Sequence, residues 1–323
     1  MKVIQVSQLG GPEVLTLSHV PDLVPGPGQV VVKLLAVGVN PVDTYVRSGI
    51  YGPRPLPYVP GSDAAGEVIA LGENVGEWKV GDRVYLAGSL SGTYAQQALC
   101  STQQLQPLPP NIGFKQGAAL YVPYSTAYRA LFQRGQAQPG EWVLIHGASG
   151  GVGLAAVQWG RAMGLRLIGT AGTSEGIEQV LRQGAHHALN HRSPDYPAEV
   201  QRITGGEGPA LVLEMLANIN LQSDLEMLAK YGRVVVIGNR GSLDFNPRAT
   251  MGKEADIRGM SLFNTPPQQL EQIQKAIVAG LEAGFLRPVI GREFFLEQAA
   301  QAHIAVMETG SMGKIVLLPW PSR

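Results

Sequence analysis

The sequence has little of what marks secreted, membrane-bound or nucleic-acid-binding proteins. Cys100 is the one cysteine in 323 residues. A lone thiol excludes an intramolecular disulfide and any zinc site built from several cysteines, and it reads as a small buried hydrophobe. Charges balance, 25 Lys+Arg against 25 Asp+Glu. No basic surface therefore points to nucleic acid or to an anionic membrane. No apolar run reaches the ~20 residues needed to span a bilayer. The segment Met1-Lys-Val-Ile-Gln-Val reads as a first strand rather than a signal peptide. The expectation is a cytoplasmic protein.

What the chain does have is glycine and proline, 41 and 23, and a hydrophobic fraction of 45%, enough for sizeable cores in about two domains. Many of the glycines and prolines fall in the first 125 residues, which reads as a turn-rich β domain. Lys2–Val6 and Leu15–Leu17 flank Gly10-Gly11-Pro12 as a hairpin. Gln29–Val39 is a long valine-rich strand that Pro41 stops, and Val42–Arg47 reads as a short helix. Asn40 and Tyr45 stand at the strand's end, either as a turn cap and a surface aromatic or as functional groups. Asp63 and Asp82 read as turn-capping residues between strands of a bent barrel, with glycines relieving crowding at its corners.

The second half is organised around Trp142-Val-Leu-Ile-His146-Gly147-Ala148-Ser149-Gly150-Gly151-Val152-Gly153. This is a buried strand, a glycine-rich turn and the start of a helix. Ala148, Gly150 and Gly153 fit the dinucleotide fingerprint, in which missing Cβ atoms let the backbone approach a pyrophosphate. Ser149, Gly150, Gly151 and Val152 then present N–H groups at the positive end of a helix. A glycine-rich hairpin turn is the alternative. The strand–helix units that follow, with strands at Leu165–Thr170, Ala188–Asn190, Ala210–Glu214 and Arg233–Gly238, favour the dinucleotide fold.

Several stretches spread over the chain resemble the medium-chain dehydrogenase/reductase superfamily, specifically its zinc-free quinone oxidoreductase branch. They include Gly10–Leu15, Gly38–Val42, Pro60–Asp63, Gly81–Val84, His146–Gly153, Gly169–Thr173, Glu214–Asn218, Asn246–Arg248 and Thr309–Lys314. The resemblance implies an α/β protein: a GroES-like β-barrel catalytic domain plus a Rossmann doubly wound parallel-sheet domain. The expected division is residues 1–125, completed by 266–323, and residues 126–265. Zinc-dependent members hold their metal with cysteine and histidine. Here those positions fall near Val39-Asn40 and at Gly61-Ser62-Asp63, and no four-cysteine lobe lies between Leu86 and Cys100. None of the six histidines shows a ligand spacing, and the adjacent His186 and His187 are expected to point apart. No metal is expected.

The cofactor expected is NADPH. NAD enzymes carry an acid ~20 residues past the fingerprint for the ribose 2′-OH. Here Gly169–Ser174 has no carboxylate, and Glu175 reads as opening the next helix. Gly172 leaves room for a 2′-phosphate, and His191-Arg192 supply donors beside it. Gly176 stands where some members have lysine. The resemblance places Tyr45, Thr126, Asn220, Ile237, Gly238, Asn239, Arg240, Met260, Ser261 and Leu262 around the cofactor, with Asn220 alternatively the N-cap of a helix Leu221–Lys230. Asn246–Glu254 reads as a mobile excursion before a strand Asp256–Leu262. Through this last segment family members pair, so a homodimer or homotetramer is expected.

Asn40, Tyr45 and Tyr51 are the candidate catalytic residues. Asn40 would donate to a quinone oxygen as charge grows there, and Tyr45 would either supply a proton or hold the cofactor. Three readings follow: an NADPH-dependent quinone oxidoreductase, an NADPH-dependent enal or enone (alkene) reductase, and a cofactor-binding protein without activity. Nucleic-acid binding as a main role is disfavoured by the balanced charge.

Overall fold

A computed structural model describes residues 1–310 and 312–320. Residue 311 and residues 321–323, within the segment expected to complete the first domain, lie outside the described residues. The chain forms two compact units, Met1–Val122 with Gln274–Arg323 and Pro123–Ile273.

The first unit begins with β1 (Lys2–Val6) and β2 (Leu15–His19), paired antiparallel as the hairpin reading requires. There follow β3 (Gln29–Val39), α1 (Pro41–Ser48), β4 (Asp63–Leu71), β5 (Arg83–Ala87), β6 (Gln97–Ser101) and β7 (Leu105–Pro107). β3 is the spine: β4 and β6 pair antiparallel with it. Its Val30, Val32, Leu34 and Val37 are completely buried in the main apolar cluster, with Val68, Leu86 and Cys100. Gly66 on β4 is required by close approach, since a Cβ there would lie 1.9 Å from Lys33 O.

The second unit holds α2 (Tyr121–Tyr128), of which Pro123 onward belongs here, and six strands. These are β8 (Trp142–Ile145), β9 (Arg166–Ala171), β10 (His187–Asn190), β11 (Leu211–Glu214), β12 (Arg233–Val236) and β13 (Asp256–Gly259). All pair in parallel, in the order β10-β9-β8-β11-β12-β13. Helices α3 (Gly151–Ala162), α4 (Ser174–Arg182), α5 (Tyr196–Ile203) and α6 (Ala217–Met227) connect them. The order reverses between β8 and β11, the place where doubly wound sheets bind ligands at their carboxyl ends. Strands of four residues buried on both faces, such as Leu211–Glu214, read as continuous apolar runs because helices cover both sides.

The chain returns through α7 (Pro267–Glu282), with Ile273, Ile277 and Leu281 fully buried at helical spacing. It ends in β14 (Ile290–Phe295), α8 (Ala299–Ala305) and β15 (Lys314–Leu318). β15 joins the sheet antiparallel to β3, giving the order β14-β15-β3-β4-β5-β7.

Three local expectations change. The helix expected at Leu221–Lys230 begins at Ala217, so Asn220 sits inside its first turn and is not its cap. The strand expected to run to Leu262 stops at Gly259, and Leu262–Asn264 form a 3₁₀ turn. His186 and His187 do not simply diverge: both rings lie beside Trp142, at centroid distances of 6.3 and 5.8 Å.

Candidate active site

In the second unit the glycine turn is pinned before any ligand arrives. His146 N donates to Leu213 O, and Ala148 N to Thr170 O. Gly150 is the N-cap of α3, with Leu154 N donating to its carbonyl at 2.9 Å. Gly153 serves packing: a Cβ there would lie 2.5 Å from Ala148 Cα, so only glycine lets α3 sit this close to the turn. Gly150 is different, since its added Cβ would meet only Gly147 O, at 3.5 Å. Its openness is what an approaching pyrophosphate needs.

The expected phosphate rim assembles at the ends of β8, β9 and β10. A Cβ on Gly172 would lie 3.0 Å from His191 Nε2 and 3.1 Å from Arg192 Nε. One on Gly176 would lie 3.2 Å from Ser149 Cβ. Ser149, Gly172, Gly176, His191 and Arg192 therefore share one small region. Glu175 opens α4, where Thr173 is the N-cap and accepts from Gly176 N. Burial, then the nearby His146 and Arg192, lowers the His191 pKa.

The loops after β11 and β12 are laced together. Ala217 N donates to Gly238 O, and Ile237 N to Glu214 O. Asn218 Oδ1 accepts from Arg240 N, and Asn239 Nδ2 donates to Gly241 O. Asn220 Nδ2 donates to Glu214 Oε1 at 3.2 Å. Met260 N donates to Val236 O, and Ser261 and Leu262 follow. Thr126, on α2, is buried.

Beneath these loops lies a cluster that the sequence did not reveal. His146 Nε2 is 2.7 Å from Asp224 Oδ1 and 3.7 Å from Glu214 Oε2, with all three residues buried. The ligand-capable atoms of the three lie within 4.8 Å of one another. Two carboxylates this close in a dry site cannot both ionise. Burial raises Glu214 to about 8 and Asp224 to about 7, and Glu214 Oε2 and Asp224 Oδ2 are buried without a hydrogen-bond partner. Burial also lowers the His146 pKa, which keeps the ring neutral. The cluster ties the end of β8 to the end of β11 and to α6.

In the first unit, α1 turns its polar side inward. Asn40, Asp43, Thr44 and Arg47 are buried, while Tyr45 is half-buried and Tyr51 is 65% exposed. The rings of Tyr45 and Tyr51 sit 6.4 Å apart. Asp43 Oδ2 accepts from Asn40 N at 2.9 Å, half of a capping box. The Asn40 side chain makes no cap bond. Its Oδ1 accepts from Lys314 Nζ and its Nδ2 donates to Asp63 Oδ2 at 3.0 Å. Lys314 Nζ also donates to Asp63 Oδ2 at 2.6 Å, and Asp63 Oδ1 accepts from Val122 N. Asp63, expected as a turn cap, instead opens β4 and is the partner of a buried ammonium. Asp82 Oδ2 caps its turn, accepting from Lys79 N.

The network continues from Asp43. Arg47 donates to His303 Nδ1 at 2.9 Å, which leaves the proton of the neutral ring on Nε2, 2.9 Å from Tyr94 O. Tyr94 O–H then donates to Asp43 Oδ2. Burial and the Arg47 charge push His303 down to about 3, and burial raises Asp43 to about 7.

Comparison with known proteins places this arrangement. Residues 26–110 match the family "Alcohol dehydrogenase GroES-like domain", and residues 151–279 match "Zinc-binding dehydrogenase". The human protein named quinone oxidoreductase is 48% identical over 98% of both chains. A Burkholderia 2-haloacrylate reductase is 33% identical over 97% of this chain and 98% of its own. The crystal structure of Escherichia coli quinone oxidoreductase complexed with NADPH superposes with a TM-score of 0.89 at 31% identity, covering 99% of this chain and all of the other.

The second family description raises the question of zinc. At Asn40 and at Ser62-Asp63 there is neither thiolate nor imidazole, and the oxygens of Asn40 and Asp63 both accept from the Lys314 ammonium. A dication cannot share that space with a buried cation, so these residues do not fit the metal. With its GroES-like and Rossmann-type portions both matched and full-length likeness to quinone oxidoreductases, the chain belongs to the zinc-free quinone oxidoreductase branch of the medium-chain dehydrogenase/reductase superfamily.

Proposed function

We propose that this chain is an NADPH-dependent quinone oxidoreductase that works without a metal. The observation that carries the reading is its 48% identity to human quinone oxidoreductase across 98% of both chains. The rim supports the choice of cofactor. Gly172, by lacking a Cβ, lets His191 and Arg192 come close to the turn, bringing a donor and a positive charge, with no carboxylate to compete for the ribose 2′-OH.

When bound, NADPH supplies the hydride. The chain's part is to bind, orient and stabilise charge. Backbone amides at Ser149, Gly151 and Val152, at the start of α3, would hold the pyrophosphate, while Gly150 N donates to Gly147 O within the turn. Gly172, His191 and Arg192 would hold the 2′-phosphate. The loops at Asn220, Ile237–Arg240 and Met260–Leu262, with Thr126, would hold the nicotinamide half. On the acceptor side Asn40 has one N–H left after its bond to Asp63, and that N–H donates to the quinone oxygen that gains charge. Tyr45 and Tyr51 supply hydroxyls, from which a proton reaches the reduced acceptor. Asn40→Ala or Tyr45→Phe is expected to lower quinone turnover more than folding stability. Unchanged turnover in both variants removes these residues from the mechanism.

The direct test is NADPH oxidation with 1,4-benzoquinone or 9,10-phenanthrenequinone in EDTA, with NADH and an enone alongside. Quinone turnover that prefers NADPH supports the reading. The likeness to a 2-haloacrylate reductase favours one second reading, reduction of an activated carbon–carbon double bond, and turnover on the enone alone would select it. NADPH binding without either activity would leave a cofactor-binding protein.

Two further expectations belong to this reading. Among the described residues no helix is long and apolar enough to cross a membrane, and a cytoplasmic location is proposed. β13 is an edge strand with Ile257 39% exposed, which supports pairing with a second copy into a homodimer or homotetramer.

A further inference from the structure

Lys314 is the least expected residue in the first unit. It opens β15, is 4% exposed, and places its ammonium against two oxygens, Asn40 Oδ1 and Asp63 Oδ2. Its stem crosses Gly38 of β3, where a Cβ would come within 2.7 Å of Lys314 Cε and 2.8 Å of Asp63 Cβ. A bare position near the end of β3 leaves room for the lysine stem as well as for Ala118 O, which a Cβ there would approach to 2.1 Å.

Stability does not explain this placement. Replacing a buried ion pair by apolar side chains of similar volume is often neutral or stabilising. What the pair accomplishes is geometric and electronic. The Asn40 carboxamide is clamped with its oxygen on a cation and one N–H on a carboxylate, so its orientation is fixed. An ammonium bound to an amide oxygen draws electron density from the nitrogen and makes the remaining N–H a stronger donor.

We propose that Lys314 is a positioning residue for acceptor reduction. Its ammonium orients and polarises the Asn40 carboxamide, so that the free N–H stabilises charge growing on the acceptor oxygen. This rests on the reading of Asn40 as the donor to the quinone. The benefit scales with the charge that develops, so quinones that accept hydride reluctantly depend on Lys314 more than strong oxidants do.

The test uses the full-length protein with Asn40→Ala, Lys314→Gln and Lys314→Met, and Asn40→Ala combined with Lys314→Gln. Glutamine keeps donors toward both oxygens without the charge, and methionine removes both. Folding is followed by circular dichroism, and NADPH affinity by fluorescence titration. kcat and KM are measured on a weakly and a strongly oxidising quinone. Removal of a positioned donor costs about 10²–10³ in kcat, so loss of its polarisation alone is expected to cost about tenfold. Lys314→Gln should show that loss in kcat on the weak oxidant, a smaller loss on the strong one, and an unchanged NADPH Kd.

The double variant should be no slower than Asn40→Ala. Wild-type kcat in folded Lys314→Gln, with Asn40→Ala impaired, overturns the role of Lys314 and leaves Asn40 standing. Wild-type kcat in Asn40→Ala overturns the reading of Asn40 and this inference with it. Further loss in the double variant shows Lys314 acting apart from Asn40 and also overturns the proposal.

If the lysine variants fail to fold, wild-type protein labelled with ¹⁵N-asparagine decides. The Asn40 side-chain amide protons, assigned by their absence in Asn40→Ala, should lie downfield of the other asparagines. An ordinary shift overturns the polarisation.

Discussion

His146 and Asp224, 78 residues apart in sequence, meet through a 2.7 Å hydrogen bond beneath the loops that follow β11 and β12. The strand that launches the glycine turn is thereby tied to the helix that follows β11, and Glu214, at the end of that strand, completes the group. The consequence is a dependence of stability on pH. Glu214 and Asp224 have folded-state pKa values of about 8 and about 7, raised from 4.5 and 3.8 mainly by burial. A raised pKa means that the folded state holds protons the unfolded chain has released. This contribution is complete below the unfolded values and is lost as pH rises through about 7 to 8. The lowered pKa of His146 acts oppositely, its contribution being lost on acidification below 6.5. Thermal midpoints should therefore fall between pH 6 and pH 9. Asp224→Asn, which still accepts from His146 but cannot ionise, should flatten the slope. The slope difference is at most about 1.4 kcal/mol per pH unit for one proton. Parallel melting curves for the two proteins across that range would refute the assignment.

Gly150 and Gly153 should behave oppositely although both belong to one motif. A Cβ at Gly153 lands 2.5 Å from backbone of the turn, so Gly153→Ala should destabilise the protein by about 1–3 kcal/mol through overpacking. At Gly150 the same atom meets only an ordinary contact, and its φ of −78° suits any residue. Gly150→Val should fold normally and bind NADPH poorly. Denaturant titration and fluorescence titration of NADPH separate the two effects. A stable Gly153→Ala, or a Gly150→Val with wild-type affinity, contradicts this division.

The contrast also shows what the sequence can say. Periodicity and turn residues located β3 residue for residue, and β9 to β12 within a residue or two at their starts, because local pattern and burial agree there. The glycine turn was legible because its chemistry is contiguous. Lys314 was not, since 274 residues separate it from Asn40 and nothing local marks a strand-opening lysine as buried. His146, Glu214 and Asp224 were invisible for the same reason: three different elements contribute one residue each. A helix cap is the alternative to a cofactor contact for Asn220, because Asn before an apolar run favours a cap. Glu214 Oε1 instead accepts from Leu216 N and Asn220 Nδ2, and the helix starts three residues earlier than Asn220.

Arg192 should discriminate between the two nicotinamide cofactors. Its guanidinium nitrogen lies about 3.1 Å from where a Cβ of Gly172 would be, close enough to face a 2′-phosphate but not needed for a 2′-hydroxyl. Arg192→Ala should weaken NADPH about tenfold, worth about 1.4 kcal/mol, and leave NADH within a factor of two. The difference should shrink with added salt, because the site is partly exposed. Equal weakening of both cofactors would mean that Arg192 supports the loop and does not read the phosphate.

Chelation should have no effect on this protein. Asn40 Oδ1 and Asp63 Oδ2, the oxygens nearest to where zinc-dependent relatives hold their metal, are filled by an ammonium whose charge cannot be dialysed away. Prolonged treatment with EDTA should leave both quinone turnover and the thermal midpoint at their starting values. Added zinc should not raise either one, since a dication entering would have to displace Lys314 from a nearly dry site at a cost of several kcal/mol. Loss of activity on chelation, restored by zinc, would show that a metal works here after all and that the ammonium is not the resident cation of the acceptor side.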